Sequence, residues 1–188
     1  MADRIIGVLA LQGDFEAHRK ALERAGARAV EVRGAAELEQ VGGLVIPGGE
    51  STTMLKLLRS DNLLELLREF GRHRPIFGTC AGAILLASRV THPEQESLGL
   101  VDIDVERNAY GRQLESHVAL VDIEGGPLEA VFIRAPIIRR AGPGVRVLAR
   151  YNGDPVLVEQ GIHLVATFHP ELTEDSRVHR LFLGKIPL

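Results

Sequence analysis

Three short stretches hold the residues best suited to covalent chemistry. The first is Gly78-Thr79-Cys80-Ala81-Gly82, where an apolar run ends and an Ala- and Leu-rich run begins. It reads as a buried strand, a tight turn and a buried helix, with Cys80 at the turn. The two glycines let strand and helix crowd together and lift the side chain clear. A cysteine at a helix N-terminus meets the positive end of the dipole, which favours thiolate, the form that attacks carbonyls. A lone cysteine is more often a small buried hydrophobe, so its company decides. The second stretch is Thr167-Phe168-His169-Pro170-Glu171. Pro170 disfavours helix at His169, and residues two apart in extended chain face the same side. Glu171 can then orient the His169 imidazole; the bland alternative is a structural histidine beside a surface glutamate. A cysteine that needs a base and a histidine with a carboxylate neighbour are more informative together than apart.

The third stretch is Pro47-Gly48-Gly49-Glu50-Ser51. Successive glycine N–H groups can form an anion-binding nest, although two glycines also make an ordinary strand-to-helix turn. No Gly-Lys-Ser/Thr follows, so this is not a nucleotide loop. Gly49 N–H with Ala81 N–H would make an oxyanion hole. Arg107 and Arg134 each stand at a strand end, where a guanidinium fork can hold a substrate carboxylate. His18, His73, His92, His117, His163 and His179 show no metal-ligand spacing and read as surface or core residues. No metal or cofactor is expected.

The elements that must position these residues follow from apolar periodicity. Residues 4–11 read as a first strand, apolar on both faces, followed by a helix from an Asp14 N-cap to about Arg24. A strand at 27–32, a short helical segment at 37–41 and a strand at 44–46 come next. Helices are expected at 52–58 and 63–70, a strand at 75–78 and a helix at 81–88. This β-α alternation predicts a parallel sheet covered on both faces. Beyond residue 100 the chain turns strand-rich, with strands at 101–106, 118–123, 131–133, 145–149, 156–158 and 163–167. Turns fall at 108–111, 125–127, 142–144 and 152–154. These strands are expected to be antiparallel additions to the sheet or beside it. Thr173 is expected to cap a last helix, with Glu174 and Asp175 in its first turn. No repeat, linker or low-complexity tract appears, so one domain over 1–188 is expected.

The chain has 188 residues, 45% hydrophobic and 25% charged, with a formal net charge of -3. That is ordinary for a soluble domain and makes no electrostatic case for nucleic acid or an anionic membrane. One cysteine forms no internal disulfide, and the N-terminal apolar run is too short for a signal-peptide core. A cytoplasmic location is expected.

Taken together, residues 47–53, 78–82 and 168–172 resemble the class I (triad) glutamine amidotransferases. Residues 10–15, Arg107-Asn108, 110–113, 132–136 and 169–175 narrow the resemblance to the glutaminase subunits of pyridoxal 5′-phosphate synthase. It spans essentially the whole chain. It implies a flavodoxin-like three-layer α/β/α fold with a mostly parallel central sheet, and hydrolysis of L-glutamine to L-glutamate and ammonia. It also implies a (β/α)8-barrel synthase subunit as partner. By the family pattern Cys80, His169 and Glu171 form the triad, and glutamine contacts Gly48, Gly49, Glu50, Arg107, Ile133 and Arg134. The sequence departs from the pattern at His117, where an aromatic residue is expected, and over Thr91–Ser97. Rival readings are a glutaminase subunit of another pathway, a related cysteine hydrolase, or a catalytically silent regulatory subunit. In the related hydrolases the catalytic histidine usually follows the cysteine closely, and here Ala81 does not supply one.

Overall fold

The computed structural model describes residues 5–109 and 116–187. In chain order the elements are β1 (Ile5–Leu9), α1 (Phe15–Arg24), β2 (Arg28–Val32), α2 (Ala35–Glu39), β3 (Gly43–Ile46), α3 (Ser51–Ser60) and α4 (Leu64–His73). Then come β4 (Ile76–Thr79), α5 (Ala81–Leu86), β5 (Ala87–Thr91), β6 (Val101–Glu106), β7 (Ser116–Ile123), β8 (Gly126–Ile133) and β9 (Ile137–Ala141). The chain ends with β10 (Arg146–Tyr151), β11 (Asp154–Gln160), β12 (His163–Ala166), a 3-10 turn at Pro170–Leu172 and α6 (Arg177–Leu183).

Seven strands form the central sheet in the order β10-β11-β12-β4-β3-β1-β2. The pairs β12–β4, β4–β3, β3–β1 and β1–β2 are parallel, and β10–β11 and β11–β12 are antiparallel. The inner strands are buried along their length, as at Gly43–Ile46 and Ile76–Thr79. Strands covered on both faces must be apolar throughout, which is why they carry no alternation. One face packs on α3, α4 and α5 through Met54, Leu58, Leu67 and Leu85. The other packs on α1, α6 and the β7–β8 hairpin through Leu22, Phe77, Phe132, Val178 and Phe182. The expected three-layer arrangement is therefore present. The late strands divide: β10 and β11 extend the main sheet, whereas β5-β6-β9 and β7-β8 form small sheets of their own. No helix among the described residues is long and apolar enough to cross a membrane.

Several local expectations differ from the structure. The helix after Cys80 stops at Leu86, not 88, and the chain enters β5. The carbonyls of Leu85 and Leu86 accept from the N–H groups of Leu98 and Leu100 at 2.7 and 3.0 Å, so the segment leading into β6 takes the acceptors that a continuing helix would use. The second helix runs over 35–39 rather than 37–41. Asp14 precedes α1 but makes no side-chain cap bond. Thr173 does not cap the last helix. It closes the 3-10 turn, and α6 begins at Arg177, whose N–H is taken by the Asp175 carboxylate at 2.9 Å. The Arg177 guanidinium also holds that carboxylate and donates to the carbonyls of Gly126 and Pro127. This ties the helix start to the hairpin, a contact invisible in local sequence. At 117, where an aromatic is expected, the imidazole stacks on Phe132 with centroids 4.9 Å apart and planes at 10°. The ring fills an aromatic slot. Tyr110, Gly111 and the motif residues to Gln113 lie outside the described residues.

Candidate active site

Strand order reverses between β1 and β3: β2 lies on one side of β1, and β3, β4 and β12 lie on the other. The loops leaving β1 and β3 meet at this point, beside a crevice at the carboxyl ends of the strands. A cavity of about 430 Å³ occupies it. Every expected site residue except Glu171 lines that cavity, and Gln12 and Asn108 join them. Gly13, at φ +92, has its backbone against the Gly48 carbonyl; a Cβ there would sit 1.9 Å from that oxygen. Only glycine permits this approach of the two loops.

Cys80 stands between β4 and α5 at φ 50, ψ −104, backbone strain of about 1–3 kcal/mol for a residue with a Cβ. It persists because the neighbours hold it. Cys80 N–H donates to the Ala166 carbonyl at 2.9 Å, and its carbonyl accepts from Ile84 N–H at 3.2 Å. A Cβ on Gly78 would lie 2.5 Å from the Gly82 carbonyl oxygen, and one on Gly82 would lie 2.1 Å from that of Ile46. The glycines thus allow the crowding expected of them. The Cys80 side chain reaches the cavity wall, with Sγ 3.8 Å from the Ile133 carbonyl oxygen.

His169 follows β12, its backbone N–H donating to Val131 O at 2.8 Å. Its Nδ1 lies 2.6 Å from Glu171 Oε1. The pair meets, but not by extended chain. Glu171 sits in the 3-10 turn at Pro170–Leu172, which folds its carboxylate back under the ring. Nor is Glu171 a surface residue; its side chain is fully buried. Burial alone would lower the proton affinity of His169. Contacts with Cys80 and Glu171 outweigh that and push it up to about 10, so the ring is imidazolium at neutral pH. Burial likewise opposes charge on Glu171, yet His18 and His169 hold the carboxyl below its usual range.

The loop after β3 forms the facing wall. A Cβ on Gly48 would touch both partners: 2.4 Å from His169 Cε1 and 3.4 Å from Cys80 Cβ. Gly49 adopts φ +150, and a Cβ there would lie 2.4 Å from Gln12 Oε1. That same oxygen accepts from Glu50 N–H at 2.9 Å. The Glu50 carboxylate caps α3, accepting from Thr52 N–H and Thr53 N–H at 3.2 and 2.7 Å. Burial opposes its charge, but these bonds lower its pKa. Arg107 donates to Thr52 Oγ1 at 2.9 Å and lies 3.8 Å from Glu50 Oε1. Its guanidinium is pinned at the rim. Arg134, at φ 41, completes the mouth beside Ile133. Gln95, within the divergent 91–97 stretch, braces α3 by accepting from Ser51 Oγ at 3.2 Å.

Two residues read as ordinary histidines prove to belong to this neighbourhood. His18 of α1 and His179 of α6 are both 0% exposed. His18 Nε2 lies 3.3 Å from Glu171 Oε2 and 3.0 Å from Thr79 Oγ1, and its Nδ1 is 3.1 Å from His179 Nε2. Neither shows a motif, because their partners come from α1, β4 and α6, far apart in sequence. Helical placement on the apolar faces of α1 and α6 was the available signal.

Burial lowers the proton affinity of His18, and pushes that of His179 down to about 3. Both are neutral when folded. The unfolded chain takes up protons as pH falls below about 6.5 and the folded chain does not. The stability that the His179 ring contributes is therefore present above pH 6.5 and lost as pH falls toward 3, and His18 acts in the same direction. Each group approaches a slope of about 1.4 kcal/mol per pH unit. Urea denaturation between pH 7 and 5 is expected to show falling stability, with a shallower fall in His179→Leu. Parallel slopes in the two proteins would remove His179 as a cause.

Comparison with known proteins adds to this geometry. A model of the SNO glutamine amidotransferase family matches residues 8–187. A relative from Solibacter usitatus, named pyridoxal 5′-phosphate synthase subunit PdxT, is 66% identical over 189 residues, spanning 96% of this chain and 98% of that protein. A protein of the same name from Thermus thermophilus is 54% identical over 183 residues, spanning 95% and 96%. A crystal structure of a glutamine amidotransferase, 51% identical, matches with a TM-score of 0.92 over 97% of this chain and 99% of that one. PurLQS from Thermotoga maritima, 17% identical with a TM-score of 0.68, shares the fold.

Proposed function

This chain belongs to the SNO glutamine amidotransferase family, and on that premise we propose that it is the glutaminase subunit of a pyridoxal 5′-phosphate synthase. It hydrolyses L-glutamine to L-glutamate and ammonia, acting as one domain over 1–188 with Cys80, His169 and Glu171 as its triad. The observation that carries the reading is a cysteine on a strained turn that shares one cavity wall with an imidazole held by a buried carboxylate.

In this mechanism the Cys80 thiolate attacks the side-chain amide carbon of glutamine. The oxyanion is held by the N–H groups of Gly49 and Ala81. His169 gives its proton to the amide nitrogen, and ammonia leaves a γ-glutamyl thioester. The now neutral ring takes a proton from water, whose oxygen attacks the thioester; glutamate departs and the thiolate–imidazolium pair is restored. Glu171 stabilises the imidazolium and fixes its orientation. At the mouth, Arg107 and Arg134 face the substrate α-carboxylate and Glu50 its α-ammonium group, with Gly48 and Ile133 as backbone walls.

Ammonia released into water at neutral pH is mostly ammonium and no longer nucleophilic. A glutaminase feeding a second reaction therefore works inside a complex, here with a (β/α)8-barrel synthase subunit in the cytoplasm. The Gly48-Gly49 loop is the switch, since a peptide beside glycine can turn at little steric cost. Glutamate release is expected to be low for the chain alone and at least about tenfold higher with purified synthase, a population shift of over 1.4 kcal/mol. Equal turnover in both would remove the switch. No glutamate release from the assembled complex would remove the glutaminase reading.

A further inference from the structure

We infer that His18 is a positioning residue for this reaction, donating its Nε2 proton to the far oxygen of Glu171, while His179 dictates which ring nitrogen of His18 carries that proton. The inference rests on the glutaminase reading and extends it to residues that the triad does not include.

The argument begins with the carboxylate. Oε1 of Glu171 is occupied by His169 Nδ1 at 2.6 Å. Oε2 is buried and has no partner in full hydrogen-bond geometry among the described residues. A buried anionic oxygen without a donor is costly. His18 Nε2 stands 3.3 Å away, with both side chains at 0% exposure. Two arrangements of protons are open to the neutral rings, because Nδ1 of His18 and Nε2 of His179 face each other at 3.1 Å and one must donate to the other.

If His18 donates through Nδ1, its Nε2 is bare. That nitrogen can accept from the Thr79 hydroxyl at 3.0 Å. It then presents a lone pair to Glu171 Oε2, which is left with no donor from this ring. The same choice puts a proton on His179 Nδ1, which is buried and has no partner. If instead His179 donates through Nε2, its Nδ1 is a bare nitrogen and buries no stranded N–H. His18 then carries its proton on Nε2, shared between Thr79 Oγ1 and Glu171 Oε2. The second arrangement strands no N–H and turns the nearest ring proton toward Oε2, so the order runs His179 to His18 to Glu171, with His169 on the other carboxylate oxygen.

Removing the His18 donor makes the Glu171 anion less favourable and lets the carboxylate swing away from His169. The acid limb of the glutaminase pH profile then moves to higher pH. The titratable groups around this pair are His169, Cys80 at the β4–α5 turn, Asp14 ahead of α1, His179 of α6, and Arg24, which acts on His179. None of them is altered in the His18 variants.

The test measures kcat and KM for glutamine from pH 5 to 9 in the assembled complex, for wild type, His18→Leu, His18→Gln and His179→Leu. His18→Leu is expected to lose about tenfold or more in kcat, with KM within about twofold and the acid limb raised by about one pH unit. His18→Gln keeps an amide donor at the same reach and is expected to restore the limb to near its wild-type position. His179→Leu frees the His18 proton to change nitrogen and gives a smaller shift in the same direction. Equal losses in the Leu and Gln variants with an unmoved acid limb would overturn the proposal. If His18→Leu fails to fold by circular dichroism, an unmoved limb in His179→Leu overturns it equally. A wild-type complex that releases no glutamate overturns the glutaminase reading and this proposal with it. An active wild type with an unmoved limb in His18→Leu overturns this proposal alone.

Discussion

Cys80→Ala is expected to lower glutamate release by on the order of 10⁴-fold or more, since removing a nucleophile abolishes the covalent route and not merely its efficiency. The fold is expected to survive. Cys80 is 7% exposed, and its sulfur makes one long contact, 3.8 Å to the Ile133 carbonyl oxygen. Alanine carries the same Cβ, so it inherits the strain at φ 50 and gains nothing from losing it. The missing sulfur leaves a void the size of one atom, worth about 1 kcal/mol. A second signature separates this outcome from accidental inactivation. His169 owes part of its raised proton affinity to Cys80. In the variant its imidazole is expected to titrate at lower pH, read from the ring proton shifts by NMR. Undiminished ammonia release from Cys80→Ala would end the proposed mechanism.

Gly48→Ala is expected to be the most damaging change that leaves the triad residues in place. The added methyl would sit 2.4 Å from His169 Cε1 and 3.1 Å from its Nδ1. The ring cannot retreat freely, since Glu171 holds it at 2.6 Å and its backbone is tied to Val131. Either the imidazole leaves its partner or the 47–49 loop moves back with the Gly49 N–H. Both displace a reacting group by about an ångström, which costs on the order of a hundredfold in kcat. Gly48 does not occupy the left-handed region, so backbone strain adds nothing and the melting temperature is expected to change little. A kcat within threefold of wild type would show that the loop yields more easily than this packing allows.

Much of the site was legible in the sequence because its chemistry is local. Gly78 and Gly82 stand two positions either side of Cys80, and His169 and Glu171 are two apart, so spacing alone brought each group into view. The route by which Glu171 reaches His169 was not legible. Proline supports both an extended chain and the first position of a 3-10 turn, and only the backbone bonds around His169 decide between them. The layered sheet followed from runs apolar on both faces. Strands β5 and β9 were missed, since Ala87–Thr91 and Ile137–Ala141 mix exposed and buried positions without clean alternation. His18 and His179 were read as bland, because a lone histidine on an apolar helix face carries no sign of its partners. Their meaning depends on α1 and α6 meeting over β4, a tertiary event with no short-range signal.

The position of β12 bears on how the protein is made. It lies between β4 and β11, and supplies the carbonyl that holds Cys80 N–H. On the ribosome, residues 76–79 emerge long before residues 163–166. Until the later segment arrives, β4 is an unpaired sheet edge, the kind of surface that invites association between nascent chains. Cys80 meanwhile has neither its backbone anchor nor its imidazole. Under the proposed mechanism the sulfur would gain its reactivity only when nearly the whole polypeptide has been delivered, and half-finished chains would spend no glutamine.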